Sequence, residues 1–338
     1  MTLLAMDGFD YYSGQSYVTT SPRGGKMLYT NFSPTSFDVG TYGMWGYSLP
    51  AAEQHSTIIL GQWHQTPSSG TIGNYKPFST EHMDIQWNTD GSLSVIRKSD
   101  NTTIYTTATG IWPLSNGKYF EVKLFVNHTT GYLVAKLEGT TVINLTGIDT
   151  QNGSSSVVTQ VFIWGTAYEF TNTWTYLDDV YLLNGAGSHN NDFLGDCRVL
   201  AIEPNGNGAH SDWVGSDGDS TNNYLLVDEG NLNTPGSDYV EASSVGATDT
   251  YSFDDVSVGS VLGVKVSTYA VRTDSVEAKQ MAIVARDSGG TEVESTAAQI
   301  FTSRTALTQV FDTQPNGSNW SVSAVNGAQF GVRVKPSL

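Results

Sequence analysis

Apolar and polar residues alternate with period two along much of this chain, in short runs broken by polar turns, and no other feature narrows its possible folds as far. Phe120, Val122, Leu124 and Val126 fall on one side of an extended segment, with Glu121 and Lys123 on the other. Leu133, Ala135 and Leu137 repeat the pattern after the turn Asn127-His128-Thr129-Thr130-Gly131. Successive side chains of a strand point to opposite faces, so each such segment has one face to bury against a partner. Thr57–Trp63, Met83–Trp87, Ser92–Lys98, Val157–Trp164 and Tyr176–Leu183 read the same way, and Asp90-Gly91 is a hairpin turn between two of them. No sustained 3.6-residue period stands out before residue 190. Many strands with short polar connections predict an all-β sandwich or jelly roll. In that fold the N-terminal strand around Phe9 is expected to lie beside the strand around Val180, bringing the two ends of the domain together.

The chain has 338 residues, more than one small sandwich needs. Residues 1–184 are read as one domain, 185–191 as a polar, glycine-containing linker and 192–338 as a second, smaller β-sandwich. In the second part Val199–Ile202, Tyr224–Asp228, Thr250–Phe253, Gln280–Arg286, Gln299–Thr302 and Gln329–Val334 are expected strands. Val261–Val271 is read as a long central strand, and Asn205–Asn223 as an exposed loop. There is neither an internal repeat nor a heptad run, which excludes a coiled-coil shaft.

Charged residues make up only 14% of the chain, so hydroxyl and amide groups must supply its solubility. Up to residue 190 there are 8 basic and 14 acidic residues, and beyond it 8 and 19. Both parts are therefore acidic, and the basic residues form no stripe, which argues against nucleic acid as a partner. Cys197 is the single cysteine; it excludes an intrachain disulfide and is expected to be a small buried residue in a strand. No apolar run approaches the ~18 residues of a membrane helix. The N-terminal Met1–Asp7 has neither a basic region nor a cleavage site, so a location outside the cell is expected to follow from lysis or particle assembly.

Asp7-Gly8-Phe9-Asp10 and Tyr176-Leu177-Asp178-Asp179-Val180-Tyr181 resemble the ends of a concanavalin A-like lectin/glucanase (laminin-G-like) jelly roll. Asp192-Phe193-Leu194-Gly195-Asp196-Cys197-Arg198-Val199, Pro204-Asn205-Gly206-Asn207-Gly208, Trp213 and Asn223-Tyr224-Leu225-Leu226-Val227-Asp228-Glu229 resemble a module of tailed-phage structural proteins. Pro315–Ser321 and Val325–Val332 continue that likeness. The resemblance implies a virion protein, either decorating the capsid or belonging to a tail or fibre. Its partners would be other virion proteins, in repeated copies or a homo-oligomer, with a host surface glycan as a further partner.

Glucanases of such a fold place two carboxylates on one strand face to flank a glycosidic bond. Glu81 and Asp84 fall on opposite faces, Glu121 has no acidic residue two positions away, and Asp178 and Asp179 are adjacent. A nucleophile elbow, a phosphate-binding loop and a His-Glu-x-x-His motif are all missing. A non-enzymatic role is therefore expected. The alternative is a carbohydrate-binding receptor-recognition protein or a polysaccharide depolymerase. For sugar contact the candidates are Trp45, set between Gly43 and Gly46, and Trp63 with His64, read as parts of one platform. Calcium is the one cofactor with candidate ligands: Asp179, which the lectin resemblance suggests, and Asp212, Asp217 and Asp219 in a polar loop.

Overall fold

In the computed structural model, residues 1–9, 18–20, 22–23, 26–31, 43–66, 75–164, 174–228, 238–273 and 279–337 are described. They divide into two compact units, with the boundary between Leu200 and Ala201. Among the described residues the chain is all-β, as the alternation predicts, apart from two single-turn helices. None of its described helices is long and apolar enough to cross a membrane.

The first unit contains β1 (Thr2–Asp7), β2 (Val18–Thr20), β3 (Lys26–Asn31), β4 (Gly43–Ser48), β5 (Thr57–Gln65), β6 (Lys76–Thr80) and β7 (Met83–Trp87). It continues with β8 (Leu93–Arg97), β9 (Thr102–Thr106), β10 (Gly117–Phe125), β11 (Gly131–Leu137), β12 (Thr140–Ile148), β13 (Gln160–Trp164) and β14 (Trp174–Asn184). One antiparallel sheet runs β12-β11-β10-β5-β14-β3-β2, with β1 also paired to β14, and the other runs β4-β13-β6-β7-β8-β9. The chain crosses between the sheets at β3 to β4, β4 to β5, β5 to β6, β9 to β10, β12 to β13 and β13 to β14, which makes the sandwich a jelly roll.

The core lies between the sheets. Phe120, Val122 and Leu124 of β10 and Ile58 and Leu60 of β5 are fully buried there, opposite Phe78, Ile85, Val95 and Ile163. Gln62 reaches across the gap and donates to the carbonyl of Pro77 at 2.7 Å. Trp87 and Trp112 are wholly buried, and the Trp87 indole N–H donates to the Trp112 carbonyl at 2.7 Å. The indole of Trp112 is satisfied in turn by the Asn116 carbonyl at 2.8 Å. The domain ends meet as expected: in the β1–β14 ladder Asp7 lies opposite Val180 and Thr2 opposite Asn184.

The segment 185–200 departs from its expected role as a linker and the opening of a second domain. It packs with the first unit and contains no strand, so Val199–Ile202 is not one. The second unit has β15 (Pro204–Ser211), β16 (Val214–Gly215), β17 (Val240–Glu241), β18 (Thr248–Phe253), β19 (Val264–Ala270) and β20 (Lys279–Arg286). It ends with β21 (Glu292–Glu294), β22 (Ala298–Ile300), β23 (Thr305–Phe311), α1 (Val322–Asn326) and β24 (Gln329–Lys335). A six-stranded sheet runs β15-β18-β24-β20-β21, with β22 also on β20, while β19 and β23 form a separate ribbon.

Leu307 and Phe311 of the ribbon join Met281, Ile283, Ala285, Phe330 and Val332 of the sheet in one core, with Trp320 and Val325 closing it. The ribbon position explains why Val261–Val271 is not a central strand: β19 pairs with β23 alone, and its residues are only half-buried. Two further expectations fail in this unit. Pro204–Ser211, placed in a loop, is a strand, and Tyr224–Asp228 gives way to a 3₁₀ turn over Asn223–Leu226. That turn exists because Asn223 is fully buried and spends its side chain on the Trp213 carbonyl (3.0 Å) and on Asp249 (2.8 Å). Tyr251 also donates to Asp249, at 2.7 Å, and the Trp213 amide at 3.4 Å, so this buried acid is held by three neutral donors. Burial pushes its pKa upward.

Candidate functional site

The polar chemistry of the first unit concentrates on the outer face of the larger sheet, across β10, β5 and β14. The ladder places Glu121 opposite Gly61 and Tyr181 opposite Gly61 from the other side. A Cβ at Gly61 would lie 2.0 Å from the Tyr181 ring, so this strand position is glycine because Tyr181 lies flat across it. The phenol thereby reaches Glu121, to which it donates at 2.5 Å. Burial first, and the Glu121 carboxylate second, hold the Tyr181 phenol well above its ordinary range.

Beside this pair the β14–β5 register shifts between Asp178 and Tyr181, and Asp179 takes a left-handed backbone with φ of 50°. A bulge of this kind re-aims a side chain. The Asp179 carboxylate meets Arg23 Nε at 2.7 Å and Arg198 Nε at 3.1 Å, and accepts from the Val199 amide at 2.8 Å. Asp179, a candidate calcium ligand in the sequence, therefore already has two guanidinium partners. Tyr119, also buried, donates to the Asp179 carbonyl at 3.2 Å and lies under the Arg23 guanidinium.

Residues 192–199 cover this face. Asp192 pairs with Lys123 at 3.3 Å, and the ring of Phe193 lies 4.3 Å from Lys136 Nζ. The Leu194 amide donates to Tyr181 Oη (3.1 Å) and the Gly195 amide to Glu121 (2.8 Å). Arg23 binds Asp196 and the Cys197 carbonyl. Cys197 sits in this covering segment rather than in a strand. Burial, with Glu121, Asp196 and Asp179 nearby, pushes its thiol up to about 12, so it is an unreactive thiol in place.

The remaining expected residues fall elsewhere. Trp63 and His64 do not form one platform, because neighbours on a strand point to opposite faces. Trp63 lies on the outer face, nearly buried, with its ring against Gly117. His64 is fully buried between the sheets, bonded to the Tyr75 hydroxyl, with its ring 6.1 Å from that of Trp112. Burial lowers its pKa to about 3, so it is neutral. Trp45 is half-buried on the edge strand β4. It stacks with Tyr47 at a ring-centroid distance of 6.4 Å and an interplanar angle of 16°, and Tyr47 donates to Glu53 at 2.9 Å. The sequence singled out Trp45 and missed Tyr47 and Glu53; period-two spacing within Trp45-Gly46-Tyr47 was the available signal.

Asp212, Asp217 and Asp219 do not assemble around a common centre. Asp212 accepts from the Thr248 amide at 3.1 Å, Asp217 from the Asp219 amide at 3.3 Å and Asp219 from the Thr221 amide at 2.6 Å. Asp217 and Asp219 stabilise their own turns, while Asp212 holds the start of β18. Among the described residues no three acidic, histidine or cysteine side chains gather as metal ligands. The outward carboxylate of the smaller sheet, Asp84, is likewise engaged, by Lys76 (2.5 Å), Lys98 (2.9 Å) and Ser79 (2.7 Å).

No protein-family model matches the chain, and no curated protein matches it. Solved structures do. A mutant Trypanosoma rangeli sialidase with trans-sialidase activity aligns over 54% of this chain at 13% identity and a TM-score of 0.34. The chain spans 31% of that sialidase. The carbohydrate recognition domain of Emp47p aligns over 55% of this chain and 98% of its own, at 9% identity and a TM-score of 0.33. Domain 4 of an extracellular arabinanase from Geobacillus stearothermophilus, in complex with arabinotriose, aligns over 55% and 94% respectively, at 16% identity and a TM-score of 0.32.

Proposed function

We propose that this protein is a non-enzymatic structural component exposed on a tailed-phage virion, decorating the capsid or forming part of a tail or fibre. In this reading it adheres to host-surface glycan through the edge of its first unit. The observation that carries the non-enzymatic part is the state of the carboxylates. Glu121, Asp179 and Asp84 are each engaged by tyrosine, arginine, lysine or serine and are nearly inaccessible, and the first two lie under the chain's own segment. A pair of carboxylates flanking a glycosidic bond needs open space between them.

The adhesive part rests on Trp45, Tyr47 and Glu53. Aromatic faces stack on the apolar side of a sugar ring, and a carboxylate beside a phenol accepts from sugar hydroxyls. The virion part rests on the ordered motifs from Asp192 to Val332 and on a sparsely charged, turn-rich composition suited to repeated contacts in a particle.

Glycan-array binding by the intact protein and by Trp45→Ala tests the adhesive reading. Retained signal in the parent and loss in the variant supports it; equal signals for the two refute it. Labelled antibody on intact particles tests the location, and a particle without label refutes the virion role. Release of reducing ends from host polysaccharide would replace the non-enzymatic reading with a depolymerase.

A further inference from the structure

We propose that residues 192–199 form a detachable strap, which lifts from the outer face of the larger sheet as one unit while the sandwich beneath it stays folded. Its attachments are of a kind that permits this. From 185 to 203 the chain contributes to no sheet, so lifting the strap breaks no β-ladder. The strap amides of Leu194, Gly195 and Val199 bond instead to side chains: Tyr181, Glu121 and Asp179.

Of its three charged residues two reach well into solvent, while the third, Arg198, pairs with the buried Asp179 at 3.1 Å. The Asp192 side chain is 71% exposed and that of Asp196 is 53% exposed, so their pairs with Lys123 and Arg23 are weak and sensitive to salt. Little apolar surface opposes release, since Phe193, Leu194 and Val199 are only half-buried and Leu200 is exposed. The groups left behind are two carboxylates, two phenols, two ammoniums and a guanidinium, all readily hydrated. Segments with few apolar contacts and solvent-facing bonds open below the free energy of global unfolding.

The strap is bounded upstream by fixed points. The Gly185 amide donates to the Thr57 carbonyl at 2.8 Å, and the Thr2 hydroxyl donates to the Ala186 carbonyl at 3.3 Å. Detachment therefore frees the eight residues from 192 to 199 without unpairing β14. Once freed, these eight residues have a contour of about 27 Å at ~3.3–3.6 Å per residue. The strap is held closed by Lys123, Lys136, Arg23, Tyr181, Glu121 and Asp179.

Cys197 reports the opening, because its thiol is shielded only while the strap is docked. The test measures labelling of Cys197 by a thiol-reactive disulfide reagent and amide exchange by mass spectrometry, both on the full chain without denaturant. Exchange of the strap amides well ahead of those of β10 is the expected result, with labelling that accelerates as salt rises from about 50 to about 500 mM. The double variant Lys123→Ala/Lys136→Ala, both on the surface of the sheet, is expected to label about tenfold faster, as losing one exposed ion pair and one cation–π contact predicts. Its unfolding midpoint should match the parent's. Asp196→Asn, which loosens the Arg23 end without touching the sheet, should accelerate labelling in the same direction. Strap exchange and labelling that share the denaturant dependence of β10 would overturn the proposal, as would a fall of the unfolding midpoint in step with labelling in either variant.

Discussion

Replacing Gly61 by alanine separates the structure from simple propensity, because the two predict opposite signs. Glycine within a strand is ordinarily less stable than alanine by ~0.5–1 kcal/mol, so a sequence-level estimate has Gly61→Ala stabilising the protein. The structure predicts the reverse. The new methyl would sit 2.0 Å from Cε1 and 2.4 Å from Cζ of Tyr181, which is itself 2% exposed and has nowhere to withdraw. Overpacking of this sort costs ~1–3 kcal/mol. Displacing the ring also weakens its hydrogen bond to the Glu121 carboxylate, and bonds to charged groups contribute ~1.5–3 kcal/mol. After the propensity gain the expected net loss is about 2–4 kcal/mol.

Urea unfolding followed by tryptophan fluorescence measures this directly, since six of the eight tryptophans precede residue 200. The decisive control is the same substitution in a Tyr181→Ala background. With the ring gone, Gly61→Ala should become neutral or stabilising by up to ~1 kcal/mol. Stabilisation in the parent background, or an equal loss in both backgrounds, would refute the packing of Tyr181 on Gly61.

Three further outcomes follow from the same structure. His64 has a folded-state pKa of about 3, below its unfolded value, so only the unfolded chain takes up its proton as pH falls through 6.5. Its contribution is present above that pH, and about 2 kcal/mol is lost by pH 5; urea midpoints of the parent should show this slope and those of His64→Gln should lack it. Trp112→Ala removes a fully buried ring packed against Phe120 and His64, and its indole bond to the Asn116 carbonyl, and should cost ~3–5 kcal/mol in the same assay. In the second unit Arg333 joins Glu292 (2.7 Å), Glu294 and Thr248 (2.7 Å). Arg333→Ala should cost about 1 kcal/mol at neutral pH, and the cost should shrink as acid protonates the two glutamates, whose pKa values the ion pairs hold below the ordinary range despite burial.

The sequence carried most of the first unit because its strands are buried on one face and its turns are explicit. Phe120, Val122 and Leu124 alternate against Glu121 and Lys123, and the ladder from Phe120↔Leu137 to Phe125↔Tyr132 follows from that pattern. What it concealed depends on partners distant in sequence. Gly61 reads as a weak spot in a strand until Tyr181 is placed over it. Trp63-His64 reads as one surface until the sheet separates the two residues. Asp192–Val199 has the acids and aromatics of a strand edge, but it bonds to side chains from β10 and β14, which no local pattern reports. In the second unit Val261–Val271 alternates on both sides, and periodicity alone cannot distinguish a ribbon from a central strand. Asn223 became legible only with Asp249 and Trp213 beside it.

The position of β14 has a consequence for how the chain is made. β14 lies between β5 and β3 and also supports β1, yet it is the last strand of its sheet to be synthesised. Gln65 ends β5 and Trp174 begins β14, so more than a hundred residues separate these neighbours. At ~5–20 residues per second a ribosome holds β5 with one unpaired edge for several seconds, and β1 waits still longer. An unpaired apolar edge is a template for association with other chains. Nascent chains ending before residue 174 should therefore be insoluble or chaperone-bound, and solubility should appear abruptly once β14 has cleared the exit tunnel.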